Sequence, residues 1–268
     1  MAPLRPQIGS LGWATGRPIA ERGVMKELPE SLTALLRTQS GVATRRQLLS
    51  HGVSKDAIRW NAGRTWRVVL PCTYVIESTL SSEHQRRMAS LLCAGSSAAL
   101  AGATAARLHG LGNAEEGGRI HVVVPGSQAS RVRGFVSIRR SLLEDSAEVV
   151  RGGLRISSVA RACVDAAVAE RSARSRTALL VEAVQRNLTT VDELAEWCYR
   201  LRTRDVATVL PALETAGLGV WSVPEAEVLS LVDSSALLPE PFPTRGSSTP
   251  AGRRWSVPTC GSTMWRWR

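Results

Sequence analysis

PESLTALLRTQSGVATRRQLLSHGVSKDAIRWNAGRTWRVVLPCTYVIE, residues 29–77, predicts three short helices followed by a hairpin. Leu32, Leu35 and Leu36 recur at i, i+3 and i+4, which gives a helix from Pro29 to Thr38 an apolar stripe, and Gly41 opens the turn that ends it. Thr44 and Gln47 have the spacing of a capping box for a second helix, with Leu48 and Leu49 as its buried face and Gly52 as its stop. Ser54 caps a third helix, Lys55 to Ala62. There Ala57, Ile58, Asn61 and Ala62 share one face while Lys55, Asp56, Arg59 and Trp60 share the other. After Gly63 the period changes to that of strands: Trp66 to Leu70, then Thr73 to Ile76, joined at Pro71-Cys72.

Three helices and a hairpin in this order predict a winged helix-turn-helix. Between Glu30 and Leu70 seven basic residues face two acids, a net of +5, which suits a surface that meets phosphates. The expected partner is double-stranded DNA. Lys55, Arg59 and Trp60 are the candidates for the major groove, Arg64 and Arg67 for clamping phosphates from the wing, and Ser54 at the helix start is a further DNA-binding candidate. Arg45 and Arg46, in the first turn of the second helix, would reach the backbone. The plainer alternative is a solvated helix face with Trp60 packed on the wing. Asp56 would repel phosphate, so it reads as a helix-start charge or an acceptor from a cytosine amine.

The whole chain has 268 residues, a net charge of +11 and a pI near 10.7, which favours an anionic partner and is long enough for two domains. Five cysteines, Cys72, Cys93, Cys163, Cys198 and Cys260, form no short paired spacing, so neither a disulfide framework nor a zinc site is indicated and a reducing cytoplasm is expected. No apolar window approaches the roughly 18 residues of a membrane span. His51, His84, His109 and His121 lack metal-ligand spacing and no nucleophile elbow occurs, so no cofactor, metal or catalytic residue is assigned.

Residues 1–26 lack periodicity and are expected to be a disordered leader, with Met25 a plausible true start. Beyond the wing, helices are expected at Ser81 to Cys93 and Ala98 to Leu108, then strands at Ile120 to Val124, Phe135 to Arg139 and Leu154 to Ser157. Helices follow over Val159 to Ala167, Thr177 to Gln185, Val191 to Arg202 behind a Thr190/Glu193 capping box, Asp205 to Ala216 and Pro224 to Val232. The fold class is therefore α+β: a winged helix-turn-helix over 27–78, a small mixed α/β domain over 79–220, C-terminal helices and disordered ends.

The motifs GVATRRQLLSHGVSKDAIRWNAGRTWRVVLPCTYVI, SALAGATAARLHGL and GLRISSVARACVDAA together resemble the AbiEi-type antitoxin family of actinobacteria, the antitoxin half of type IV toxin-antitoxin systems. The resemblance covers roughly Glu27 to Leu238. It implies a regulator that binds its own promoter and opposes a nucleotidyltransferase-type toxin encoded nearby. Relatives often read Pro-Gly-Val-Tyr at the wing turn where this chain has Pro71-Cys72-Thr73-Tyr74, a departure expected to reshape the turn, since Cys lacks glycine's tolerance of positive φ.

In relatives, an acid-bearing helix such as Pro224 to Val232 opens an endonuclease-like domain of the PD-(D/E)XK type, of which residues 221–243 would be a remnant. Glu225 and Glu227 alone cannot assemble a two-metal site. The tail from Thr244 to Arg268 has five Arg and no acid, while a neighbouring reading frame can encode an alternating, acid-bearing stretch, so a frameshifted tail is expected. Two further functions stay open: a decayed nuclease fusion without activity, and a protein-interaction scaffold whose basic face meets an acidic partner.

Overall fold

The computed structural model describes residues 28–76, 83–201, 204–219 and 223–234, and over these the chain is a mixed α+β protein. The expected leader, the tail from Thr244 and the hypothetical start at Met25 lie outside the described residues. Internal contacts divide the chain into two compact units, Met1–Cys93 and Ala94–Arg268. The sequence draws that boundary after residue 78.

The first unit contains α1 (Glu30–Thr38), β1 (Val42–Thr44), α2 (Arg45–Ser50), α3 (Lys55–Asn61), β2 (Arg67–Leu70), β3 (Thr73–Val75) and α4 (Glu83–Ala94). Leu32, Leu36, Leu48, Ile58, Trp66 and Tyr74 are among the side chains of its core. Leu35 is partly buried against that core. Leu49, expected to be buried, is 37% exposed, because a helix of only six residues turns one narrow stripe inward and Leu48 occupies it. Both capping predictions hold: Thr44 and Gln47 form a reciprocal capping box, and Ser54 Oγ accepts from Ala57 N–H at 3.1 Å.

Strand β1 has no counterpart in the sequence reading. Its three residues are too few to show alternation, and the partner that makes them a strand lies some thirty positions away. Val42, Ala43 and Thr44 pair antiparallel with Val75, Tyr74 and Thr73, so the hairpin becomes a three-stranded sheet in the order β1-β3-β2.

At the hairpin turn Cys72 adopts φ +58°, in the left-handed region that favours Gly. With Pro71 ahead of it, this is the sign pattern of a type II turn. The turn thus has a left-handed residue, and the strain falls on the Cys backbone. Such a turn matches strand twist poorly. A register shift between Val68 and Leu70 takes up the mismatch. Cys72→Gly is expected to stabilise the protein by about 1 kcal/mol; an unchanged urea midpoint would show the turn to be unstrained.

The second unit is built on a six-stranded sheet: β4 (Ala99–Leu100), β5 (Ile120–Pro125), β6 (Arg131–Arg133), β7 (Val136–Ser141), β8 (Val149–Arg151) and β9 (Leu154–Ile156), in the order β6-β7-β5-β4-β9-β8. Its helices are α5 (Gly102–Leu108), α6 (Val159–Ala169), α7 (Ala173–Gln185), α8 (Val191–Leu201), α9 (Leu210–Gly217) and α10 (Val223–Asp233), with a 3-10 turn at Arg204–Thr208.

Two sequence expectations are corrected here. The single helix over Ala98 to Leu108 is instead strand β4 followed by α5, because Ala99 and Leu100 pair with β5 on one side and β9 on the other, and two flanking ladders outweigh alanine's helix propensity. Asp205 to Ala216 is likewise broken, and Pro211 lies in the first turn of α9, where its missing N–H is tolerated. The three strands expected are joined by β4, β6 and β8, all of two or three residues.

α6 is buried nearly all round, and its run of alanines lets α5 approach closely. Inside it lies an i,i+4 charge pair that periodicity alone does not flag: Arg161 and Asp165 are 2% and 4% exposed, with Nε 3.6 Å from a carboxylate oxygen. Arg139 of β7 closes on the same carboxylate, and the Arg161 guanidinium also donates to Leu143 O and lies 5.1 Å from the Trp197 ring centroid. Arg176 donates to the carbonyls of Ala167 and Glu170, satisfying acceptors at the end of α6, and to that of Thr208 in the 3-10 turn.

Glu182 of α7 pins the loop after α5. Its carboxylate accepts from Gly112 N–H at 2.8 Å and Asn113 N–H at 2.9 Å, and pairs with Arg186 at 3.1 Å. Burial opposes its ionisation, but the two amides and the Arg186 and Asn113 side chains outweigh that and hold its pKa below the ordinary carboxylate value. A depressed folded pKa contributes stability above the unfolded value near 4.5, lost as pH falls through the folded one. Glu182→Gln is therefore expected to cost about 1–2 kcal/mol at neutral pH and nothing in acid, where the two urea midpoints should converge. A deficit of equal size at both pH values would contradict this.

Candidate functional site

α3 is fixed at both ends by its own polar residues. Ser54 caps the start; at the other end Asn61, 5% exposed, donates from Nδ2 to Ala57 O at 2.8 Å and accepts from Thr65 Oγ1 at 2.5 Å. The Asn61 carbonyl also accepts from the amides of Arg64, Thr65 and Trp66, at 3.0 to 3.1 Å. A single buried amide residue thus ends the helix and starts the strand. Spacing marks Asn61 as an inward-facing residue and does not by itself reveal this role. The signal is nonetheless present: an Asn on a core face needs partners, and the following turn supplies them.

With Ala57, Ile58 and Asn61 buried, the other helix face is left in water. Lys55, Asp56, Arg59 and Trp60 are all exposed, as the spacing predicts, and Trp60 keeps 40% of its surface open. Asp56 sits in the first turn, where a negative charge complements the free N–H groups.

Arg64 differs from its expected place. It lies in the turn before β2 rather than on the hairpin, donates to Trp60 O at 2.8 Å and packs 5.6 Å from the Trp60 ring centroid. Trp60 is thus held by an arginine. Arg64 remains exposed, but part of its donor capacity is already used. Arg67, exposed, opens β2.

Arg46 is exposed and Arg45 half-buried in the first turn of α2. The Arg45 N–H donates to Cys72 O at 2.8 Å, and Thr44 pairs with Thr73, so this pair of arginines starts beside the hairpin turn. Arg67 pairs at the other end of the sheet, opposite Val75. The candidate residues therefore form two groups about 10 Å apart along the strands: Arg45 and Arg46 by the turn, and Arg59, Arg64 and Arg67 around the end of α3 and the start of β2. Ser54 has its oxygen committed to the cap while its O–H can still donate outward.

Elsewhere, His109 and Glu227 make local contacts. His109 Nε2 lies 2.7 Å from Ser157 O, and burial lowers its pKa. His121 is likewise lowered, by burial and then by Arg139 and Arg119. Glu227 pairs with Arg174 at 3.4 Å across an open groove of about 440 Å³ between α7 and α10. No group of three or more His, Cys, Asp or Glu placed to hold a metal is found among the described residues. Cys72, Cys93, Cys163 and Cys198 are free thiols; burial pushes Cys163 up to about 12 and Cys198 to about 11, so neither is a thiolate at neutral pH. No described helix is long and apolar enough to cross a membrane.

Compared with protein-family models and with curated proteins, the chain matches none.

The cap made by Ser54 can be tested apart from the charge at that position. Ser54→Ala is expected to lose about 1 kcal/mol of stability with the cap, whereas Ser54→Asp keeps the cap and adds a negative charge at the exposed face. Urea titration should show the aspartate variant near wild type and the alanine variant weakened; equal loss in both would mean the cap contributes little.

Proposed function

We propose that this protein is a DNA-binding transcriptional regulator that contacts duplex DNA through α3 and the β2-β3 hairpin, in the manner of a winged helix-turn-helix, and that it acts by binding rather than by catalysis. The observation that carries this reading is the division of α3: one face is locked into the core through Ala57, Ile58 and Asn61, and the other presents Lys55, Arg59 and Trp60 to solvent, with exposed Arg64 and Arg67 following in the turn and at the start of β2. A helix held this way offers its cations and one flat ring without reorganisation, which suits reading a groove. Phosphate contacts would come from Arg45, Arg46, Arg64 and Arg67, with Arg64 acting from the turn and through Trp60.

The resemblance to AbiEi-type antitoxins extends this proposal to binding at its own promoter in the cytoplasm and to a nucleotidyltransferase-type toxin as the protein whose activity it opposes. Free thiols and the absence of a membrane-length helix among the described residues are compatible with that setting.

The experiment is fluorescence anisotropy against duplex DNA taken from upstream of the coding sequence, over a salt series. With about five phosphates neutralised by α2, α3 and the hairpin, log affinity should fall against log salt with a slope of magnitude at least about 4 to 5. Lys55→Ala/Arg59→Ala should weaken binding at least tenfold and reduce the slope by about 1–2. A flat salt response, or equal affinity of wild type and double variant, would overturn the reading.

A further inference from the structure

The second unit carries a row of cations that the function above does not use. Residues 119–143 contain Arg119, Arg131, Arg133, Arg139 and Arg140, and no acid. Arg139 is spent on Asp165. The register of the sheet arranges three of the others. Arg131 lies opposite Ile138 and Arg133 opposite Val136, so both share the face of β7 that Val136, Ile138 and Arg140 occupy.

Because β6 runs antiparallel to β7, Arg133, Arg131 and Arg140 follow one another two residue steps at a time, the last displaced by one strand. The row spans four steps, about 14 Å of strand axis. Arg133 and Arg140 are exposed and Arg131 half-buried. Among the described residues none of the three makes an ion pair, and the Arg131 Nε has no hydrogen-bond partner. Arg140 is also tied by its backbone, whose N–H donates to Ser130 Oγ at 3.0 Å.

We infer that this row is a second phosphate-binding surface, and that it takes the backbone of double-stranded DNA. The inference rests on the duplex-binding reading for the identity of the polyanion. Charge complementarity is its first support: three guanidinium groups without a carboxylate among them seek oxyanions, and their planar fork matches phosphate. Spacing is the second. Neighbouring cations of the row stand roughly 7 Å apart along the strands, about the separation of successive phosphates on one DNA strand, so three regularly placed cations can meet three phosphates along it.

An acidic protein fits less well. Protein interfaces need apolar or aromatic anchors at their centre. On this face Val136 and Ile138 are already buried, and the exposed valine of β6, Val132, points to the other face. Edge-strand arginines also discourage self-pairing of sheets, and that simpler role is the competing explanation.

The full chain distinguishes these. For wild type and for R131Q/R133Q/R140Q, affinity for a mixed-sequence DNA duplex is measured by anisotropy across a salt series, with circular dichroism and sedimentation as checks on folding and association. The expected result is a slope smaller in magnitude by about 3, since each phosphate left without its cation removes roughly 0.9, with the lysine triple variant R131K/R133K/R140K restoring it. The charge-reversed R131E/R133E should bind worse than the glutamine variant while staying monodisperse. An unchanged slope in the glutamine variant overturns the inference. So does self-association of the glutamine variant together with wild-type binding by the glutamate variant, which would leave the arginines as edge guards. If wild type itself binds no duplex, both this inference and the proposed function fail; an altered slope confined to the Lys55/Arg59 variant fails this inference alone.

Discussion

The orientation of α3 depends on one buried amide. Asn61 bonds back into the helix through Nδ2, forward to Thr65 through Oδ1, and gathers three successive amides on its carbonyl. Burying an amide without partners costs on the order of 1–3 kcal/mol for each unsatisfied group, so the turn is held in the one geometry that satisfies it. This sets the rotation of α3 about its axis. From it follow the burial of Ala57 and Ile58, the exposure of Lys55, Arg59 and Trp60, and the direction in which β2 leaves.

Polar residues organise the second unit in a comparable way, though there the groups are charged. Arg161 and Asp165 sit within a helix that is otherwise alanine, valine and cysteine. A buried ion pair is weak evidence for stability, since desolvation offsets much of the attraction. Its effect is one of placement: Asp165 draws Arg139 from β7, and Arg161 reaches the Leu143 carbonyl and the Trp197 ring. α6 is thereby registered against the strand and α8. Arg176 and Glu182 do similar work at the two ends of α7, each satisfying backbone groups of another segment.

Where local signals are strong, the elements are legible. The Thr44/Gln47 and Thr190/Glu193 capping boxes start helices where they should, because a cap is satisfied by residues three positions away. The two faces of α3 are readable for the same reason. β4 is not, since Ala99 and Leu100 become a strand only between two ladders formed with β5 and β9. The edge strands β6 and β8 escape notice because three residues carry no period, and Leu49 is misplaced because a six-residue helix has room for little more than one buried side chain.

The sequence by itself determined the capped starts of α2, α3 and α8, the turn position at Pro71-Cys72, the surplus of arginine and which side chains of α3 stay in water. These depend on interactions between near neighbours and on the solvation cost of charge. The tertiary structure alone decided that Arg64 would rest on Trp60, that Cys72 would accept a left-handed backbone, and that Arg131, Arg133 and Arg140 would line up on one face. Those outcomes depend on sheet register and on partners distant in the chain, which spacing along a single stretch of sequence does not encode.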